Sequence, residues 1–268
     1  MEQLLEAVRG AKVFDLAQPY FVGMPHFPTH PPYLFSLNKR HGDLVTKTGA
    51  SSAAETITLG GHVGTHIDAL CHFSCGGFLY GGIEAEPIQS YDKGLSQLSV
   101  DTIAPMVRRG VLLDVAGHFR LEVLPENFAI TPEQLDEVCE HQHVAVERGD
   151  IVLLRTGWAK YWRDQRMFIT GGKSVNVVGP GPEEPAARWL SSRKIFAAGS
   201  DTVAFERVPD PEMPVHVHLL VENGIHIIEC LNLEELAETK TYEFLFVAAP
   251  LKIEGGTGAP IRPLAIHR

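Results

Sequence analysis

Short apolar runs punctuated by glycine and proline set the rhythm of this chain. Residues 111–115 (VLLDV), 151–155 (IVLLR) and 195–198 (IFAA) are nearly continuous apolar stretches, which predicts strands buried on both faces. Residues 225–229 (IHIIE) and 242–247 (YEFLFV) predict two more strands. Between them lie stretches suited to helices. Thr131-Pro132-Glu133-Gln134 has the form of a capped helix start, with threonine at the cap, proline at the first helical position and glutamine three residues after the cap. Residues 185–191 and 232–239 predict shorter helices. Strands interleaved with helices imply a mixed α/β fold. Residues 15–32 break the rhythm, with five prolines (Pro19, Pro25, Pro28, Pro31, Pro32), two histidines and almost no periodicity. Long loops of this kind are usually functional. Their aromatics Tyr20, Phe21 and Phe27 are suited equally to covering a substrate and to packing on a neighbouring molecule.

The pattern carries its chemistry in one place. Three of the thirteen histidines fall within the eleven residues 62–72 (HVGTHIDALCH). His62, His66, Asp68 and His72 share one parity, so a strand-like path aligns them along one side. Gly64 has the same parity and is expected to leave a gap where a side chain would crowd an ion. A helical path would also pair His62 with His66 at i, i+4. The glycines at 60, 61 and 64 disfavour a helix. Imidazole and carboxylate together suit a borderline divalent ion such as zinc or manganese. A lone histidine is ordinarily a core residue satisfied by hydrogen bonds, but four potential ligands in register point to half of a catalytic metal site.

Composition narrows the partners. At 268 residues the chain is long enough for one substantial core, and a single domain over 1–268 is expected. Hydrophobic residues at 44% and charged residues at 21% are ordinary for a globular protein. A net charge of −10 argues against nucleic acid or an anionic membrane surface as partner. No apolar run approaches the roughly 20 residues of a membrane helix. The stretch MEQLLE lacks the basic start and apolar core of a signal peptide. Cys71, Cys75, Cys139 and Cys230 form no CxxC pair, so a cytoplasmic protein without disulfides is expected.

Elsewhere, Glu229 is expected to share a strand face with Ile225, Ile227 and Leu231. A carboxylate on an apolar face must be paired, protonated or bound to a cation. His216 and His218 lie just upstream, and Gly199-Ser200-Asp201-Thr202 follows a predicted buried strand, where α/β folds place ligands. Asp201 has a structural alternative, capping the next turn.

The stretch His62-Val63-Gly64-Thr65-His66-Ile67-Asp68 followed by His72 resembles the HxGTHxDxPxH signature of the cyclase-type metal-dependent hydrolases, a family that includes kynurenine formamidase and isatin hydrolase. Residues 149–158, 199–202, 216–229 and 249–260 are similar to further blocks of that family, so the resemblance spans nearly the whole chain. It implies His62, His66 and Asp68 as primary metal ligands, with Asp68 able to bridge to a second ion. It implies His72 as general acid/base, and His216 with Glu229 as the pair completing the site. His216 is preferred over His218 because the Leu219-Leu220 pair fits that register better. Leu70 departs from the signature proline, which suggests a branch away from the best-known formamidases.

The implied fold is an α/β swivelling β/β/α-type domain with a small central β-barrel and flanking helices, assembled as a homodimer or homotetramer. The implied function is hydrolysis of a small amide, cyclic amide or lactone by a metal-activated water. One or two Zn2+ or Mn2+ ions would serve, with Asp68 or Glu229 orienting the water and His72 handling the proton. Kynurenine formamidase activity is the alternative within the enzyme class. A non-catalytic metal- or ligand-binding protein on the same scaffold is the competitor from outside it, and polyketide ring dehydration ranks below both.

Overall fold

The computed structural model describes residues 6, 9–173 and 175–268, so the first five residues, on which the reading of the N-terminus largely rests, lie outside it. Nine strands form the main sheet: β1 (Lys12–Asp15), β2 (His66–Asp68), β3 (Met106–Asp114), β4 (Ile151–Arg155), β5 (Ala197–Ser200), β6 (His226–Glu229), β7 (Glu243–Ala248), β8 (Gly258–Pro260) and β9 (Leu264–His267). Their spatial order is β1-β9-β7-β3-β4-β5-β6-β2-β8. The sheet curls strongly into a half-barrel and carries few helices, which is the mixed α/β fold expected. Strands β3 to β6 are mutually parallel, and antiparallel strands extend the sheet on both sides.

The apolar runs account for this order. Every residue of β4, β5 and β6 is buried, as parallel strands covered on both faces must be. Alternation then sorts their side chains between two cores. Leu112, Leu153 and Ile228 pack on one face, with Phe14, Ile67 and Phe246. Val111, Leu113, Val152, Leu154 and Ile227 pack on the other, against helices α1 (Pro132–Gln142) and α2 (Glu184–Ser192). Helix α1 starts as its sequence predicts. Thr131 Oγ1 accepts from the Gln134 amide at 3.3 Å, and Gln134 Oε1 accepts from the Thr131 amide at 3.0 Å. The stretch predicted over 232–239 forms a helix only at Glu234–Glu238.

At the ends of β3 and β4 the parallel strands meet a buried ion network. Arg155 donates from Nη1 to Asp114 at 2.8 Å and from Nε and Nη2 to the two oxygens of Glu234, both at 2.9 Å. Asp201, just beyond β5, accepts from the Thr156 amide at 3.0 Å, the Thr156 hydroxyl at 2.6 Å and the Gly157 amide at 2.8 Å. It therefore caps the turn after β4 and stays outside the histidine cluster. Among the described residues no helix is long and apolar enough to cross a membrane.

Candidate metal centre

Strand β2 sits between β6 and β8, with His66 opposite Glu229, Ile67 opposite Ile228 and Asp68 opposite Ile227. Cross-strand partners share a face, so His66, Asp68 and Glu229 project together while Ile67 enters the opposite core. The strand-like path expected over the whole motif holds only for these three residues of β2. Residues 61–65 form bends and turns, and the His72 amide closes a turn onto the Ala69 carbonyl at 2.9 Å. His62 and His72 reach the site by folding back over β2, and their rings stack with centroids 3.8 Å apart.

Gly64 has a different purpose from the one expected. Its φ is +72°, and a Cβ there would fall inside the ring of Tyr20. The glycine makes room for the Tyr20 ring, so the gap is filled by protein and offers no space to an ion. Tyr20 Oη lies 2.9 Å from the Val63 carbonyl and 3.1 Å from that of Thr65, fastening residues 15–32 to the motif. The Gln18 amide donates to Thr65 Oγ1 at 2.8 Å, and His30 Nδ1 lies 3.2 Å from the His62 carbonyl. The proline-rich segment thus packs across its own chain's site.

Five of the expected residues converge with short separations. His62 Nδ1 lies 2.7 Å from Asp68 Oδ1, and its Nε2 lies 2.9 Å from Thr257 Oγ1. His66 Nδ1 donates to the Gly64 carbonyl at 2.8 Å, which leaves Nε2 as the inward-facing nitrogen, 3.5 Å from Asp68 Oδ1 and 3.4 Å from Glu229 Oε2. His216 Nε2 lies 3.3 Å from Glu229 Oε1 and 3.8 Å from Asp68 Oδ2. His62, Asp68 and His72 form one group able to hold an ion, and Asp68, His216 and Glu229 form another, with Asp68 common to both. His218 is turned elsewhere, with Nδ1 2.6 Å from Glu222 and Nε2 2.8 Å from Ser191. Leu231 also departs from expectation. Cys230 has φ +55°, which ends the strand alternation at Glu229 and sends Leu231 into the opposite core.

Three nearby residues escape a reading of the motif. Thr257 belongs to the C-terminal Gly-Thr-Gly block, where a Cβ at Gly258 would meet the His62 ring. His30 belongs to the proline-rich segment, whose two histidines were its signal. Glu206 has no spacing signal, standing beside Arg207 in the stretch VAFERV over 203–208, yet it is buried against His216.

The electrostatics are those of a concentrated charge cluster. Burial opposes ionisation of Asp68, but His72, His62 and His66 hold its carboxyl well below the usual range. Burial likewise opposes ionisation of Glu229, and the neighbouring rings of His216 and His66 bring it down to about 2. Burial opposes charging of His216, yet Glu206 and Glu229 push it up to about 10. Burial pushes His72 down to about 3, so that ring is neutral at neutral pH. Among the described residues three buried side-chain atoms have no hydrogen-bond partner: Arg207 Nε outside this cluster, and His66 Nε2 and Asp68 Oδ2 within it. Unsatisfied buried nitrogen and carboxylate oxygen are costly. Here both face other potential ligands, so the residues present fit a bound divalent cation.

The chain is similar to known proteins. The family model described as putative cyclase matches residues 14–207. An isatin hydrolase of Roseibium aggregatum is 30% identical over 216 residues, covering 78% of this chain and 73% of the relative. A kynurenine formamidase of Bordetella petrii is 21% identical over 256 residues, covering 94% and 97% of the two chains. Among solved structures, a novel cyclase superposes with a TM-score of 0.86 at 28% identity, over 98% of this chain and 89% of that one. Isatin hydrolase A from Ralstonia solanacearum superposes with a TM-score of 0.77 at 26% identity, over 100% and 96%. By the span of the family match and the extent of these similarities, the chain belongs to the putative cyclase family.

Proposed function

We propose that this protein is a metal-dependent hydrolase of a C–N bond in a small amide or cyclic amide. The observation that carries the reading is the pair of orphaned buried atoms, His66 Nε2 and Asp68 Oδ2, set among His62, His216 and Glu229. His62, His66, Asp68, His216 and Glu229 would hold one or two zinc or manganese ions. A divalent ion there supplies polarisation of a carbonyl and acidification of a water. Asp68 and Glu229, ionised at neutral pH, orient the attacking water. His72 is neutral and accepts a proton from it, then returns that proton to the departing nitrogen. An amide needs this return step most, because an unprotonated amine anion leaves poorly.

The 30% identity to an isatin hydrolase supports a cyclic amide as the first substrate class. The similarity to kynurenine formamidases over nearly the whole chain supports an arylformamide as the second. Elemental analysis of the wild type and Asp68→Ala, followed by assay of a lactam, an arylformamide and a lactone, tests the reading. One or two equivalents of metal, lost in Asp68→Ala, with turnover of the lactam, is the expected result. Metal without turnover of any substrate would favour a binding protein on the same scaffold.

A homo-oligomer is part of the proposal. The hairpin Leu34–Lys39 with Ala54–Thr58 exposes Leu34, Phe35, Leu37 and Ile57. A two-stranded hairpin with no core of its own is marginally stable in water. A second copy of the chain covering it fits these exposed apolar residues. Light scattering on the wild type and Leu37→Glu tests this: a dimer or larger species that dissociates in the variant supports it, and a wild-type monomer sinks it.

A further inference from the structure

Glu206 is 1% exposed, yet it makes no ion pair with any lysine or arginine among the described residues. Its carboxylate is spent on one short segment. Oε1 accepts from the His216 amide at 2.9 Å and from His216 Nδ1 at 2.6 Å, and Oε2 accepts from the Val215 amide at 3.3 Å. The helical turn Pro214–His216 has no side-chain cap of its own, since Met213 at its cap position contributes no hydrogen bond. Glu206 therefore caps that turn from the loop after β5 and grips the ring in the same movement.

The consequence for His216 is directional. With Nδ1–H committed to a carboxylate, Nε2 is the nitrogen left to face Glu229 and Asp68. A carboxylate bonded to the far nitrogen of a ligating histidine fixes ring orientation and tautomer and raises ligand basicity. His66 is treated alike, its Nδ1 tied to the Gly64 carbonyl, but by a neutral acceptor. The loop bearing Glu206 also reaches the site a second way, because the Phe205 amide donates to Glu229 Oε1 at 2.8 Å. We infer that Glu206 is a positioning residue that aims His216 Nε2 into the metal centre and strengthens it as a ligand, so that the loop 201–206 organises the half of the site remote from the histidine motif. This inference rests on the metal-site reading above.

The test is zinc affinity, measured by chelator competition on the wild type, Glu206→Gln, His216→Ala and the double variant. Glu206→Gln is expected to weaken the binding that depends on His216 by about ten- to a hundredfold. In the His216→Ala background the same change is expected to add no further loss, because the two residues act as a unit. Proton NMR of the zinc-loaded wild type should show an exchange-protected, downfield His216 Nδ1–H signal that moves upfield in Glu206→Gln. Unchanged zinc affinity, or an equal loss in the His216→Ala background, would overturn the inference while leaving the metal site standing. Zinc taken up by no form of the protein would overturn both. If Glu206→Gln does not fold, Glu206→Asp is read in the same cycle, with the same outcomes deciding.

Discussion

His62 and His72, ten residues apart in sequence, stack ring on ring with 25° between their planes. One of these rings is held by Asp68 and Thr257, whereas the other makes no side-chain hydrogen bond among those described. The held ring gives the free one a platform. His72→Ala is therefore expected to lower turnover by roughly a hundredfold or more while metal content stays at the wild-type level. Loss of metal from the variant would instead put His72 among the ligands, within the group it forms with His62 and Asp68.

The Tyr20–Gly64 contact predicts a stability effect at a position that has no side chain to offer an ion. Gly64→Ala faces both a left-handed backbone and the Tyr20 ring. A cost of about 1–3 kcal/mol is expected for the backbone conformation alone, with more from the clash. Adding Tyr20→Ala should recover the clash and not the backbone share. Thermal melts of the two single variants and the double variant read this directly, and full recovery would refute the backbone part.

Metal uptake should depend on pH with a definite sign. Burial works against charging His66 and His216, but their carboxylate partners raise both, His216 to about 10. The metal-free centre therefore holds a second proton on His216 at neutral pH, and binding must displace it. Asp68 and Glu229 are already ionised and add no slope. Apparent affinity should rise by about tenfold per pH unit for each displaced proton. Zinc competition at two pH values between 6 and 8 checks the sign, and a flat profile contradicts it.

Arg155 offers a structural control away from the histidines. Three of its hydrogen bonds neutralise Asp114 and Glu234 where little water reaches them. Arg155→Met leaves Asp114 without its cation and Glu234 with only Lys160 at 3.9 Å, and a loss of about 3–5 kcal/mol is expected. Chemical denaturation measures it, and a loss under 1 kcal/mol would show that solvent screens the pair.

Legibility of the sequence tracked periodicity. Strands β4 and β6 could be read because every position is buried, and residues 131–134 because a capping box is local. The site residues were legible as a set, but their path was not. Parity arguments assume an extended chain, and the left-handed Gly64 and the turn at 69–72 end the strand on both sides of β2. Cys230 does the same after Glu229. Glu206 was illegible because its partner lies ten residues away across an irregular loop whose course no repeat encodes.

Strand β2 alternates a ligand-type residue, an apolar residue and a second ligand-type residue, each locked to neighbours on both sides. A slip of one residue during folding would drive His66 and Asp68 into the apolar core and turn Ile67 toward the charges. Misregistered chains would thus lose the metal-binding face and a core contact together. An ion present during refolding would select the correctly aligned sheet, making occupancy a report on sheet register as well as on readiness for chemistry.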